Sequence, residues 1–507
     1  VAVTATVAAA PTAPDVDRLA ALRQRLGAVA DTFGVGAGVA DDPEIGSSLL
    51  FSRLVRHVHA HEGADRLWLL MTALAGAFPQ PDEVRSAMHA RITHPPEDFA
   101  MWLLESCYAA ARVSGTPDLE MDVVHPAAVV DVDFSARHDL HTGIQRVVRE
   151  SVPRWVKDHE LTLVAWTETG GAMRGLLEHE RDRITRWHDR AGAPEPPADT
   201  VGHRLVVPWH TDVLLPENPA PEHCPALAAM ALFSGSRLGL IGYDCIPALS
   251  PELIHEGLPD RFMRYLEAVK HAHRVAGISA AATREFEGFV EMLGSQGLPG
   301  PEVVRCVLPV EVPPGGPAAV SGAPLVVCIG SFEPRKNQLA VLHAAEQLWR
   351  EGLDFQLEFI GGGGWATEFD ALMARLTATG RPVRRRTAIS DAQLWGTLRA
   401  ARFSVFVSLH EGFGLPVAES LACGTPCLTS DYGATREIAD GGGALTVDPM
   451  DDEAIAAQMR RLLTDDDLVT ALRDQAGRRP SRTWDDYARE LWAALVVPEA
   501  ESREPVR

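Results

Sequence analysis

The chain has 507 residues, 46% of them hydrophobic and 23% charged, with a formal net charge of −22. That length exceeds one compact domain and suggests about three units, while the composition excludes wholesale disorder. An acidic chain repels phosphate backbones and anionic lipid, which excludes broad nucleic-acid binding and a polybasic membrane anchor but leaves room for a local basic pocket.

Residues 1–14 are Ala, Val, Thr and Pro with one Asp close behind and no basic region, a poor signal peptide. Residues 15–120 read as helices: the stretches from Asp17 and from Leu50 are amphipathic at the helical period, and Pro79, Pro81, Pro95 and Pro96 divide them. His57 and His61 share a helix face, an ordinary exposed one rather than a metal pair. The apolar stretches 67–78 and 227–233 fall well short of the roughly 20 residues of a membrane helix, so no transmembrane segment and a cytoplasmic location are expected. Cys107, Cys224, Cys245, Cys306, Cys328, Cys423 and Cys427 are scattered, odd in number and without a C-x-x-C pair, which fits reduced thiols better than disulfides or zinc.

From residue 127 the texture changes. Ala127-Ala-Val-Val-Asp-Val-Asp reads as a buried strand, followed by a helix over 143–156 that Pro153 kinks or ends, and by strands over 161–166, 238–242 and 274–278. Arg146, Arg149, Arg154 and Lys157 on that helix suit a packed crossover helix, with docking on a membrane surface as the alternative. Residues 193–199 read as an exposed loop, and Pro313-Pro-Gly-Gly-Pro-Ala as a linker. A second set follows: strand 325–329, helix 337–350, strand 355–360, helices 368–377 and 391–401, strand 403–408 and a helix from about Pro416. Residues 451–463 and 484–496 are helical. Alternating strands and helices predict two α/β domains, each doubly wound, facing a ligand cleft. Gly361-Gly-Gly-Gly364 is either a tight turn or a phosphate loop, and Arg381 with Arg384, Arg385 and Arg386 reads as a solvated basic loop.

The segment Ser408-Leu-His-Glu-Gly-Phe-Gly-Leu-Pro-Val-Ala-Glu carries the most chemistry. A strand ends, a glycine turn follows, and Pro416 sits where a first helical residue is favoured. Gly412 and Gly414 let backbone N–H groups approach a ligand, and the helix start adds positive potential, so this turn is a candidate diphosphate cradle. Glu411 and Glu419 are placed to accept hydrogen bonds from hydroxyls.

These residues resemble the retaining glycosyltransferases of family 4, whose architecture is GT-B and whose hallmark is two Glu separated by seven residues. The resemblance extends through Gly424-Thr-Pro, Gly433-Ala-Thr-Arg-Glu and Gly330-Ser-Phe-Glu-Pro-Arg-Lys-Asn. Thr142-Gly-Ile-Gln-Arg-Val and Tyr243-Asp-Cys-Ile-Pro are similar to segments of a subgroup building bacterial surface polysaccharides. The resemblance covers about residues 127–465 and implies an acceptor domain over 121–312 and a sugar-nucleotide domain over 313–480; the residues themselves give a helical extension over 1–120 with a disordered start and a terminal helix and tail over 481–507. The resemblance implies that Lys336, Glu411 and Asp244 are catalytic, and that Arg335, Ser331, Phe413, Gly414, Leu415, Glu419 and Gly143 bind the donor. His141 and Tyr243 would lie on the acceptor side. Ser331 stands where some relatives have Arg, and Tyr243 where the subgroup has His. No cofactor or metal is implied, because the nucleoside-diphosphate sugar is a substrate; Asp131 and Asp133 imitate a metal-binding D-x-D that this architecture does not need. The acceptor would be a saccharide or small molecule, with a second copy or a partner enzyme docking on the helical extension. The alternatives are a non-catalytic sugar-nucleotide-binding scaffold and a pseudo-glycosyltransferase joining cyclitols.

Overall fold

The computed structural model describes residues 18–35, 47–189, 204–315, 322–387 and 389–496. The expected disordered start, the loop at 193–199, the end of the linker and the final tail lie outside the described residues. Among the described residues, five helices come first: Arg18–Thr32, Ser47–Ala60, Ala64–Ala75, Pro81–Thr93 and Pro96–Ser114. Pro81 and Pro96 begin their helices, where a missing N–H costs nothing. The helices pack directly on the sheet that follows. Trp68 stacks on Phe78 at 5.5 Å, and Phe78 meets Trp166 of the sheet edge-on at 5.9 Å. Buried Arg25 ties the junction, donating to the carbonyls of Ala73 (2.7 Å), Pro117 (3.0 Å) and Leu119 (2.6 Å). Arg25→Ala strands those carbonyls and is expected to cost about 2–4 kcal/mol, read as a lower midpoint in urea unfolding.

The first sheet has nine strands: β1 Met121–Val124, β2 Ala128–Asp131, β3 Leu161–Trp166, β4 Met173–Gly175, β5 Leu205–Pro208, β6 Asp212–Leu215, β7 Arg237–Gly242, β8 Arg274–Gly277 and β9 Glu302–Arg305. Their order is β1-β5-β4-β3-β2-β6-β7-β8-β9. All pair in parallel except β4, which runs antiparallel to β3 and β5. β1, β4, β5, β6 and β9 escape the sequence pattern because runs of three or four residues carry almost no periodicity. The helix Gly143–Asp158 continues through Pro153. It is packed as a crossover helix: Arg149 is buried and donates to the carbonyls of Leu140 and His138, and Arg154 pairs with Glu150 and Asp485.

The second sheet is wholly parallel: β10 Leu325–Ile329, β11 Gln356–Ile360, β12 Val383–Arg386, β13 Phe403–Phe406, β14 Cys427–Ser430 and β15 Ala444–Val447, in the order β12-β11-β10-β13-β14-β15. The expected solvated loop at Arg384–Arg386 is instead the edge strand β12. Glu358 on β11 is fully buried and binds both Arg384 and Arg386, a charged edge that resists pairing with other chains. The helix Trp484–Leu495 returns to the first domain, where Trp155 Nε1 donates to the Ala488 carbonyl at 2.8 Å. Strand order reverses between β10 and β13 in one sheet and between β2 and β6 in the other, and a reversal opens a crevice at the strands' carboxyl ends.

Candidate functional site

Two loops leave the second sheet at its reversal. After β10, Pro334–Lys336 forms a single tight turn, and Asn337 at φ 52° starts the helix Gln338–Arg350. Asn337 Nδ2 anchors that turn to the Pro449 carbonyl at 2.8 Å. After β13, residues 407–414 lead into the helix Leu415–Ala422. Gly414 has φ 101°, and a Cβ there would lie 2.8 Å from Thr435 Cγ2, so geometry and space both require glycine. The loops are laced together. The Leu409 N–H donates to the Arg335 carbonyl, and Arg335 donates to the His410 carbonyl, each at 2.8 Å.

Lys336, Arg335 and Glu411 form one cluster. Lys336 Nζ lies 2.6 Å from Glu411 Oε1, and Arg335 is 3.0 Å from the same oxygen. Burial alone would raise the Glu411 carboxyl, but Lys336 and Arg335 more than offset it and hold it below the ordinary range. Ser331 Oγ is committed to Glu333 at 2.7 Å, and Glu333 in turn reaches Arg335 at 3.4 Å. Two residues of the four-glycine run, Gly361 and Gly364, serve close packing at this turn. A Cβ on Gly361 would sit 1.9 Å from the Gly330 carbonyl oxygen, and one on Gly364 would sit 2.0 Å from that of Phe332.

The first domain lies across a narrow gap. A Cβ on Gly412 would fall 2.3 Å from the Tyr243 carbonyl oxygen and 3.1 Å from Asp244 Oδ2; one on Gly143 would meet Leu415 Cδ1 at 3.1 Å. Ser279 Oγ donates to the Gly412 carbonyl at 2.6 Å, and Glu437 accepts from the Ala280 N–H at 2.8 Å. Burial pushes Asp244 up to about 6, although Arg335 opposes the shift. Glu419, in the Leu415–Ala422 helix, pairs with Arg146 of the first domain at 2.6 Å. Burial raises its carboxyl in spite of that partner.

Lys336, Arg335, Glu411, Gly414, Leu415, Glu419, Gly143 and Asp244 therefore come together at one gap, and Phe413 is buried in the hydrophobic core beside them. Ser331, bound to Glu333, and His141, stacked on Trp187, do not join them, and neither does the Tyr243 side chain, whose acceptor-side assignment is corrected. The Tyr243 side chain is buried and its hydroxyl donates to the Pro216 carbonyl at 2.6 Å, leaving only its backbone on the gap. His141 stays on the first-domain rim, stacked on Trp187 at 5.3 Å and 3.1 Å from Arg149; burial and Arg149 lower its pKa. Asp131 and Asp133 diverge, Asp131 to Trp166 Nε1 at 2.8 Å and Asp133 to Arg137 at 2.7 Å. His57 bonds to Arg66, and the described residues hold no cluster of three metal-binding groups.

Sequence reasoning missed the residues that bridge the domains. Arg146 stood in the Thr142-Gly-Ile-Gln-Arg motif but looked like a packing residue. His410 stood beside Glu411, yet its partners are distant in sequence: Ser250 Oγ at 2.8 Å and Glu285 Oε1 at 2.9 Å. Burial would lower the His410 pKa, but Glu285 overcomes this and raises it. The stabilisation is complete below the ordinary value near 6.5 and is lost as pH rises through the raised one. Closure is therefore expected to weaken as pH rises above the ordinary imidazole value near 6.5, seen as a growing radius of gyration in X-ray scattering. His410→Asn should remove that dependence.

Residues 316–479 match the family model described as "Glycosyl transferases group 1". The chain is 28% identical over 334 residues to the serotype-specific mannosyltransferase WbdA of Escherichia coli, covering 61% of this chain and 38% of that protein. It is 36% identical over 140 residues to the O-antigen chain mannosyltransferase B of Escherichia coli, covering 27% of this chain and 36% of the other. The chain thus spans less than two-fifths of each of these relatives. Anabaena Alr3699/HepE, solved in complex with UDP and glucose, shares the fold at a TM-score of 0.51 and 13% identity, over 72% of this chain and 98% of that one.

Proposed function

We propose that this chain, which carries a group 1 glycosyltransferase domain homologous to bacterial mannosyltransferases within a GT-B architecture, transfers a hexosyl group from a nucleoside-diphosphate sugar to a saccharide acceptor with retention of configuration. The names of the relatives favour a mannosyl donor. The observation that carries the reading is the Lys336–Arg335–Glu411 cluster beside the Leu415 helix start, with Asp244 across the gap.

Breaking a sugar–diphosphate bond builds negative charge on the leaving oxygen and positive charge at the anomeric carbon. Lys336, Arg335 and the N–H groups opening the Leu415–Ala422 helix stabilise the first charge, and preorganised groups of this kind often supply the largest catalytic term. Glu411 accepts from the donor sugar's hydroxyls, and Glu419 accepts from the ribose with Arg146 beside it. The departing phosphate takes the acceptor proton on the face where the new bond forms, so the configuration is kept without a protein base. With two side-chain cations on the diphosphate, transfer is expected to survive EDTA; strict dependence on added divalent metal would contradict this arrangement. The reading itself is tested by melting the chain against GDP-, UDP- and dTDP-hexoses, because a ligand of the native state raises the midpoint. One donor should raise it and release its nucleoside diphosphate when acceptor is added. No shift with any of them would contradict the proposal.

A further inference from the structure

The two acids of the site are answered by cations in different ways. Glu411 meets Lys336 and Arg335, both from its own domain, so parting the domains does not separate them. Glu419 meets one cation, and that cation comes from across the gap. Arg146 stands in the first turn of the helix Gly143–Asp158, and its Nη1 lies 2.6 Å from Glu419 Oε1. Its guanidinium also lies over the Trp395 ring, 5.7 Å from the ring centre, on the second-domain helix Asp391–Ala400. Among the described residues that guanidinium has no hydrogen-bond partner in its own domain. The pair is nearly dry, with the Arg146 side chain 19% exposed and that of Glu419 7% exposed. No described residue donates to Glu419 Oε2.

Closing the gap takes the Glu419 carboxylate out of water. A charge removed from water is costly unless a counter-charge of good geometry goes with it. Arg146 is that counter-charge, through one short charge-assisted hydrogen bond and a cation–π contact that fixes the guanidinium. Without it the chain has two courses: the domains stay apart, or Glu419 takes up a proton and is buried as a neutral acid. Burial, with Asp391 adding to it, already raises the Glu419 carboxyl, so losing the one cation tips that balance.

We propose that Arg146 is a positioning residue that lets the gap close over an ionised Glu419, and that the donor is therefore a ribonucleotide rather than a 2′-deoxyribonucleotide. The proposal rests on the transferase reading above, in which Glu419 accepts from the ribose. A carboxylate offers about four lone-pair sites and Arg146 takes one, so the 2′- and 3′-hydroxyls of a single ribose can both be met. A 2′-deoxyribose fills one site fewer, and a buried charged acceptor left short of a donor is costly. GDP- and UDP-hexoses carry the 2′-hydroxyl and dTDP-hexoses lack it, so the donor class narrows to ribonucleotide sugars. Arg146 acts on this choice only through Glu419.

The test titrates GDP, UDP and their 2′-deoxy counterparts into the full chain by calorimetry, and measures its radius of gyration by X-ray scattering without nucleotide. The variants are Arg146→Met, Arg146→Lys, which keeps the charge and guards against a folding defect, and Arg146→Met combined with Glu419→Gln. In the unmodified chain the ribonucleotide that binds should do so about tenfold more tightly than its 2′-deoxy form, the worth of one hydrogen bond to a charged acceptor. Arg146→Met should cut that preference to about twofold, Arg146→Lys should keep most of it, and adding Glu419→Gln should cut it no further. Without nucleotide, Arg146→Met should enlarge the radius of gyration, and adding Glu419→Gln should return it to the unmodified value, because a neutral amide can be buried without a cation. Equal affinity for ribose and deoxyribose in the unmodified chain, an unchanged preference in Arg146→Met, or a double variant as open as Arg146→Met would overturn the inference. Binding of neither GDP nor UDP would count against the transferase reading instead, and the scattering arm still decides whether Arg146 closes the gap over Glu419.

Discussion

Lys336→Ala is expected to lower kcat for hexosyl transfer by about 100- to 1000-fold, the usual cost of removing one preorganised donor to a developing negative charge. The reason lies in where the ammonium stands. It is held 2.6 Å from Glu411 and 5.2 Å from the centre of the Phe406 ring, in a partly buried turn where a charge acts strongly. The loss should fall mainly on kcat, because the charge it answers is larger in the transition state than in the ground state. The fold should survive, since Arg335 remains 3.0 Å from Glu411 and leaves no carboxylate unpaired. Single-turnover transfer together with a melting curve separates these effects. Wild-type turnover in a folded variant would remove Lys336 from the chemistry.

Gly412→Ala should be nearly as damaging for a different reason. The added methyl carbon would stand 2.3 Å from the Tyr243 carbonyl oxygen and 3.0 Å from Asp244 Cβ, and a backbone oxygen cannot swing aside as a long side chain can. The domains must part by an ångström or more. The Ser279–Gly412 hydrogen bond stretches, and Asp244 withdraws from the Lys336–Glu411 cluster. Misplacement on that scale costs about 100-fold in rate. Nucleotide held by the second domain alone should bind almost as before, because Lys336, Arg335 and Leu415 do not move relative to one another. Scattering should report a larger radius of gyration, and calorimetry an unchanged affinity for nucleoside diphosphate. An unchanged rate in this variant would mean that the closed gap is not the reactive arrangement.

What the sequence revealed depended on how local the signal was. Glu411, Gly414, Leu415 and Glu419 fall within one strand–turn–helix segment, so spacing and residue type were enough to place them together. Lys336 was legible through the family resemblance of Gly330-Ser-Phe-Glu-Pro-Arg-Lys-Asn, the segment that follows a buried strand. The bridges between domains were not legible. Arg146 and Glu419 are separated by 273 residues, and His410 and Glu285 by 125, and no periodicity connects such pairs. The edge strand β12 was hidden by its own arginines, which look solvated until buried Glu358 is seen beside them. Tyr243 misled for a related reason: its motif lies on the gap, but only its backbone faces that way. The short strands β4 and β6 are stabilised by their neighbours rather than by local pattern, so the crevice at the β2–β6 reversal could be found only in three dimensions.

The account depends on the turn after β10 and the helix start after β13 gripping a diphosphate together. Its most direct test is a crystal structure of the full chain with the nucleoside diphosphate of whichever donor raises the melting point. The β-phosphate should lie within hydrogen-bond distance of Lys336 Nζ and the Leu415 N–H, with the ribose hydroxyls on Glu419. A nucleotide seated elsewhere, with Lys336 still bound only to Glu411, would contradict it.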